Sequence, residues 1–337
     1  MEIIATVRKE NEKSELKDLF NKLIDLNIST FRFNFAKAEF SDILMKDLLE
    51  SFAIVRNISS DVTTILDIPY PGKKIRINSA FTSLDIIKGK KYYLSFGANN
   101  EFETQHSNKM IFLNSSELLK KIYKGLHIIY DSGQGIFIVT NIKSNGIIEI
   151  VADNSFKLFN MKSISFGYCE TYGYFDLLNK LCVKFNPDKI AFSFVNKKED
   201  LKDALLVKNV YGFSIMSKIE NEEGIKNLEE IAKVSDEIML GRGDLCLNAD
   251  PLKLLLYQYE VLKICKQQNC KVYFATDFLT SLVNNYIPTR SDLIDLQYAM
   301  LLKPNGLVLN LDLVNSCGIY RAVELINNCK KIYIGED

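Results

Sequence analysis

Short apolar runs alternate, over most of the chain, with stretches whose apolar residues recur three and four positions apart. The runs at 3–7, 30–34, 63–67, 190–194, 213–219, 238–241, 272–276 and 307–310 read as strands. Helical patterns lie between them, at 16–26 and 41–52 for example. Asn221 ahead of Glu222 and Glu223 reads as a helix start, with Ile225, Leu228, Ile231 and Ala232 as the buried stripe. Asp250 followed by Pro251 reads as an N-cap and first turn of a helix running to about Lys266. Eight strands, each but the third followed promptly by a helix, predict an α/β fold in which eight parallel units close into a TIM (β/α)8 barrel.

After the third strand the pattern changes. Pro69-Tyr70-Pro71-Gly72 is followed by short β-like runs at 74–77, 91–95, 110–113, 136–142 and 147–151, the last two joined by the hairpin signal Ser144-Asn145-Gly146. The expected organisation is a barrel domain of residues 1–76 and 165–337 with a small all-β domain, 77–164, inserted as a lid.

Composition narrows the class. Apolar residues make up 47% and charged residues 25%, which is globular and excludes disorder. The 42 basic residues cancel the 42 acidic ones, so no overall field draws the chain to nucleic acid or an anionic membrane. No apolar run reaches the 18 or so residues of a membrane span, and Met1 to Arg8 lacks the order of a signal peptide. A cytoplasmic protein is expected. The seven cysteines form no C-x-x-C pair and read as idle or buried thiols. The two histidines, His106 and His127, lack companions for a zinc site or a Ser-His-Asp triad and read as structural or surface residues. Chemistry is left to carboxylates, Lys, Arg and hydroxyls.

Barrel enzymes carry their reactive groups where the strands end. Those ends hold Arg32 and Asn34, Asp67, Lys218 and Glu220, Arg242 to Asp244, Thr276 and Asp277, and Asp312. Glu220 and Asp244 have the chemistry of a partial Mg²⁺ (or Mn²⁺) shell that water and substrate oxygens would complete. Any one of these charges, taken singly, reads more readily as a group that merely solvates the barrel mouth. Lys218-Ile219-Glu220 combined with Arg242-Gly243-Asp244-Leu245 reads less easily that way.

At those two segments the chain resembles the pyruvate kinase family. Ser217-Lys218-Ile219-Glu220-Asn221 with Glu223-Gly224, Ser235-Asp236 with Ile238-Met239, and Arg242-Gly243-Asp244-Leu245 follow in the family's order. Ile3 to Val7, Phe31 to Phe35, Ile65-Leu66-Asp67, Lys74-Ile75-Arg76, Ala191 to Val195, Ala275-Thr276 and Pro288-Thr289-Arg290 fit as well, so the resemblance covers nearly the whole chain. It implies Mg²⁺-dependent phosphoryl transfer between phosphoenolpyruvate or pyruvate and ADP, ATP or another acceptor. Lys218 would lie against the transferring phosphoryl group, Glu220 and Asp244 would hold the metal, and backbone N–H groups at Gly243 and Asp244 would bind the substrate carboxylate. Thr276 would belong to the proton relay. Arg32 and Arg76 would grip phosphates, with Asn34 beside them. Asp131 resembles the acid carried by the lid domain, and Lys162 would meet nucleotide phosphate from the lid side.

The chain also departs from the family. Ala36-Lys37-Ala38 stand where Ser-His-Gly is usual, Arg8-Lys9-Glu10 replace Gly-Pro-Ser, Asp277 replaces Gln and Cys246 replaces Gly. Several of these changes fall where the acceptor would lie. Of the family's four K⁺ ligands, Asn34 and Asp67 remain, while Ala36 and Ile68 replace the hydroxyls. Lys74 stands where potassium-independent members carry a lysine, so K⁺ is not expected to be required. The family's C-terminal domain has no counterpart in the 337 residues, and a homodimer through the barrel is a further expectation. Two other readings remain open: a metal-dependent lyase on a pyruvate enolate, and a catalytically silent barrel.

Overall fold

The structure, a computed structural model, describes residues 1–7, 13–34, 42–59, 61–68, 77–79, 81–96, 109–113, 122–130, 134–143, 146–160, 162, 164–165 and 175–335. The strands in chain order are β1 (Glu2–Val7), β2 (Thr30–Asn34), β3 (Thr63–Ile68), β4 (Ser83–Ile86), β5 (Lys91–Ser95), β6 (Met110–Phe112), β7 (His127–Tyr130) and β8 (Gly135–Ile142). They continue as β9 (Ile148–Ala152), β10 (Phe156–Phe159), β11 (Ile164–Ser165), β12 (Lys189–Phe192), β13 (Ser214–Ile219), β14 (Glu237–Gly241), β15 (Lys271–Ala275) and β16 (Gly306–Leu309). The chain divides into two compact units, one of Met1–Pro71, Tyr172–Cys246 and Pro251–Asp337, the other of Gly72–Thr171 with Leu247–Asp250.

In the first unit eight parallel strands close into a barrel in the order β1-β16-β15-β14-β13-β12-β3-β2. The eight strands are those expected from the apolar runs, with ends shifted by a residue or two. Their side chains are almost wholly buried, and Ile4, Ile65, Ala191, Met216, Met239, Tyr273, Ala275 and Val308 fill the centre, so the barrel is a packed core rather than a pore. Register sets the chemistry at one end. Thr6 pairs with Arg32, Asn34 with Asp67, Asp67 with Ala191, and Gly241 with Ala275. The opposite end carries a polar plug. Lys189 Nζ lies 2.8 Å from Glu237, and the Tyr273 hydroxyl donates to Glu2 at 2.8 Å. Burial pushes the Tyr273 hydroxyl up, so it stays a donor.

The helices differ from the sequence reading in three places. Asn221 caps as expected, accepting from the Gly224 N–H at 2.8 Å, but the helix breaks into Glu222–Lys226 and Leu228–Val234. The break falls at Asn227, whose side chain donates to the Asn196 carbonyl at 2.8 Å. Asp250 is not an α-helical cap: Pro251–Lys253 form a 3-10 turn, and the α-helix runs over Leu254–Gln267. The helix expected at 41–52 extends over Asp42–Ile58.

The second unit holds a six-stranded sheet, β11-β7-β8-β9-β5-β6, and a β10-β4 pair. β8 and β9 pair antiparallel on either side of the expected hairpin signal, with Lys143 N–H donating to the Ile147 carbonyl at 2.9 Å. Tyr130 and Phe156 stack at 5.2 Å, and a Cβ on Gly135 would strike the Phe156 ring. Four strands, β4, β7, β10 and β11, were not expected from the sequence. Among the described residues no helix is long and apolar enough to cross a membrane. The six described cysteines are free thiols.

Candidate active site

The C-terminal rim of the barrel is built around two cations, Lys218 buried and Arg32 partly buried, and two buried carboxylates, Asp67 and Glu220. Asp67 is the last residue but one of β3, with its side chain fully enclosed. Arg32, one strand away, donates to Asp67 Oδ2 from Nε at 2.8 Å and from Nη2 at 2.6 Å, while its Nη1 donates to Thr6 Oγ1 at 2.9 Å. From β13, Lys218 Nζ approaches the same carboxylate at 3.3 Å, donates to Ser193 Oγ at 3.0 Å and lies 3.1 Å from Glu220 Oε1. The other oxygen of Glu220 accepts the Phe194 N–H at 2.8 Å.

The four formal charges sum to zero, which is what lets them be buried together. For Asp67 burial is the largest influence and raises its pKa. The adjacent Lys218 and Arg32 cations outweigh it and hold the carboxyl below the usual range. Glycine makes room for Glu220: a Cβ on Gly241 would come within 2.7 Å of its Cγ. Phe194 supplies its N–H from a left-handed backbone, φ 54°.

A second group lies at the ends of β14 and β15. Arg242, Gly243 and Asp244 open the helix Arg242–Asn248 directly after β14. The Gly243 N–H donates to Thr276 Oγ1 at 2.8 Å, and that hydroxyl donates in turn to the Ala275 carbonyl at 2.6 Å. Thr276 and Asp277 both have positive φ, 78° and 58°. For a β-branched residue this is a strained conformation that its surroundings must hold. Asp244 is half-buried in the first turn of its helix.

The structure therefore gathers Arg32, Lys218 and Glu220 into one cluster, and Thr276 and Gly243 into one contact. Asn34 lies level with Asp67 on the neighbouring strand. Lys162 is exposed in the second unit. Arg76 and Asp131 lie outside the described residues, as do Arg8, Ala36, Lys37 and Lys74. Sequence reasoning missed Ser193 and the Phe194 N–H, which no motif marks, and it gave Asp67 no partners. It also left Arg242 as a charge on the rim, whereas the guanidinium is turned to Asp295 at 2.6 Å.

Among the described residues no three His, Cys, Asp or Glu side chains are grouped to hold a metal. Zinc-type sites built wholly from protein need such a group. Mg²⁺ does not, since one or two carboxylates plus substrate oxygens and water complete its shell. Glu220 and Asp244 on adjacent strand ends suit that donor set.

The fold and the rim define a (β/α)8-barrel protein with a buried lysine–carboxylate cluster at the C-terminal mouth. Residues 1–310 match the family described as pyruvate kinase, barrel domain. The chain belongs to the pyruvate kinase family. It is 27% identical to a pyruvate kinase of Borreliella burgdorferi over 91% of its length and 63% of the relative's. It is 27% identical to one of Sporosarcina psychrophila (98% and 56%) and 28% identical to one of Thermoplasma acidophilum (91% and 53%). The chain thus spans a little over half the length of most of these relatives.

Proposed function

We propose that this chain is a Mg²⁺-dependent phosphotransferase working between phosphoenolpyruvate or pyruvate and ADP, ATP or another acceptor. The observation that carries the reading is Lys218, an ammonium buried at the rim between Asp67 and Glu220 in a member of the pyruvate kinase family. An ammonium fixed in a site that excludes water stabilises charge that develops on a transferring phosphoryl group or an enolate oxygen. Because Asp67 and Glu220 already hold it, little reorganisation is needed when that charge appears.

A bound Mg²⁺ would supply Lewis acidity toward substrate oxygens. Glu220 and Asp244 would hold it. Arg32 spends one N–H of each nitrogen on Asp67 and Thr6. A guanidinium carries five N–H groups, so the remaining two can meet a phosphate. Gly243 and Asp244 would bind the substrate carboxylate, and the Thr276 hydroxyl would pass a proton at the methyl carbon. In the proposed organisation the catalytic barrel is 1–76 with 165–337 and the inserted lid is 77–164, which the division into two compact units supports.

K⁺ is dispensable in this proposal, because both oxygens of Asp67 meet Lys218 and Arg32 meets one of them, while the Ile68 side chain offers no oxygen where a hydroxyl would stand. A cytoplasmic location is supported by seven cysteines without a disulfide pattern. A homodimer through the barrel is supported by Leu255, Leu256 and Tyr259, exposed on the helix Leu254–Gln267, with Leu252 exposed just before them. Sedimentation of Leu256→Asp should then give monomers from a wild type that sediments as a dimer.

The test is Lys218→Met. Phosphoryl transfer should fall by orders of magnitude, while proton exchange at the methyl group of pyruvate persists with Mg²⁺ in K⁺-free buffer. Equal loss of both activities, or a several-fold rise with K⁺ but not Na⁺, would overturn the corresponding assignment.

A further inference from the structure

We infer that Arg242 and Asp295 are positioning residues that hold the strained Thr276 turn in register with Gly243, so that Arg242 serves the site without touching substrate. This rests on the proposed role of Thr276 in proton transfer.

The geometry of Arg242 is that of a clamp. Its Nη1 and Nη2 meet Asp295 Oδ1 and Oδ2 at 2.6 and 2.7 Å, a two-bond pairing that fixes the guanidinium plane. Nη2 also donates to the Thr276 carbonyl at 2.7 Å, and Nε reaches toward the Ala275 carbonyl at 3.4 Å. The face of the guanidinium lies 3.9 Å from the centre of the Phe278 ring. One side chain from the start of the helix after β14 therefore contacts three residues of the β15 turn, 275, 276 and 278. The Arg242 side chain is buried, and its main partner Asp295 stands on the outer helix Arg290–Leu302, half-exposed.

The turn needs such a hold. Thr276, Asp277 and Leu279 all have positive φ, at 78°, 58° and 55°. Each such conformation persists only where the surroundings over-determine it. Here the carbonyl of Thr276 is fixed by Arg242 and its hydroxyl by the next residue in the chain, Gly243. The two bonds arise from adjacent residues of one helix start, so they set the hydroxyl and its peptide together. Gly243 is tight as well, since a Cβ there would come within 3.3 Å of Thr276 Oγ1. The hydroxyl is held at a single place beside the N–H proposed for the substrate carboxylate. A misplacement of about 1 Å at such a group can cost about a hundredfold in rate. A guanidinium committed to four protein oxygens and a ring is poorly suited to bind substrate as well.

The test uses Asp295→Asn, which removes the charge that aims Arg242 while leaving its shape, together with Asp295→Glu and Arg242→Lys. Hydrogen exchange in residues 276–281 should rise at least tenfold in Asp295→Asn and Arg242→Lys, with the amides of β13 and β16 unchanged. Methyl-proton exchange of pyruvate should fall at least tenfold in both, with KM for phosphoenolpyruvate within about twofold and partial recovery in Asp295→Glu. Unaltered hydrogen exchange in the turn, or a rise spread evenly over the barrel, would overturn the clamp. A KM that climbs with the fall in rate would show Arg242 binding substrate instead. If wild-type protein exchanges no methyl protons, the reaction assigned to the site fails, and the hydrogen-exchange pattern alone still decides whether the clamp exists.

Discussion

At the scale of the residue, Asp67 is the hinge of the site's electrostatics. Fully buried, it would be costly as a lone anion, and Arg32 and Lys218 make it the anchor of both cations. Removing one partner of a buried ionic group typically costs about 3–5 kcal/mol because the other is stranded. Asp67→Asn should therefore destabilise the barrel by about that much at neutral pH. With its folded pKa depressed, Asp67 contributes stability that is fully present above the unfolded value of about 3.9 and is lost as pH falls below it. Urea titrations between pH 5 and pH 2 should show a shallower acid limb in Asp67→Asn than in wild type; parallel limbs would contradict the pairing. Asp67 was legible as a rim carboxylate from its place at a strand end. Its two cationic partners were not, because Lys218 lies 151 positions away and only barrel closure brings it near.

At the scale of the element, the strand ends decide which side chains fit. Gly241 closes β14 against Glu220, and Gly224 lies against the Val195 carbonyl, where a Cβ would come within 2.7 Å. Both positions resist a methyl group, and overpacking of this kind costs about 1–3 kcal/mol. The consequences should differ. Gly241→Ala must shift a proposed metal ligand, so Mg²⁺ affinity should drop along with stability; Gly224→Ala should lose stability and keep Mg²⁺ affinity. Calorimetric titration with Mg²⁺ distinguishes them, and equal affinities in the two variants would remove Glu220 from the metal's surroundings. The barrel strands were readable because each is a dense apolar run. The small strands β4, β7, β10 and β11 were not, since two to four residues give too little periodicity to register. Proline misled at Pro251: it suits any first turn, and the turn here is 3-10 before the α-helix starts at Leu254. Arg242 was visible as a charge, but its turn toward Asp295, 53 positions on, depends on packing that no local pattern encodes.

At the scale of the whole molecule, a closed parallel barrel brings rim chemistry from seven of its eight strands to one end, in a chain whose 42 basic residues cancel its 42 acidic ones. The central claim is that this rim binds an enolpyruvate-like dianion through a divalent metal held by Glu220. A ligand that binds only the folded state stabilises it by an amount that grows with concentration above its dissociation constant. The most direct measurement is the melting temperature of the wild-type chain and of Glu220→Gln with Mg²⁺ alone, oxalate alone and the two together. Wild type should gain several degrees only with Mg²⁺ and oxalate combined, and Glu220→Gln should gain none; no gain in wild type, or the same gain in the variant, would contradict the account.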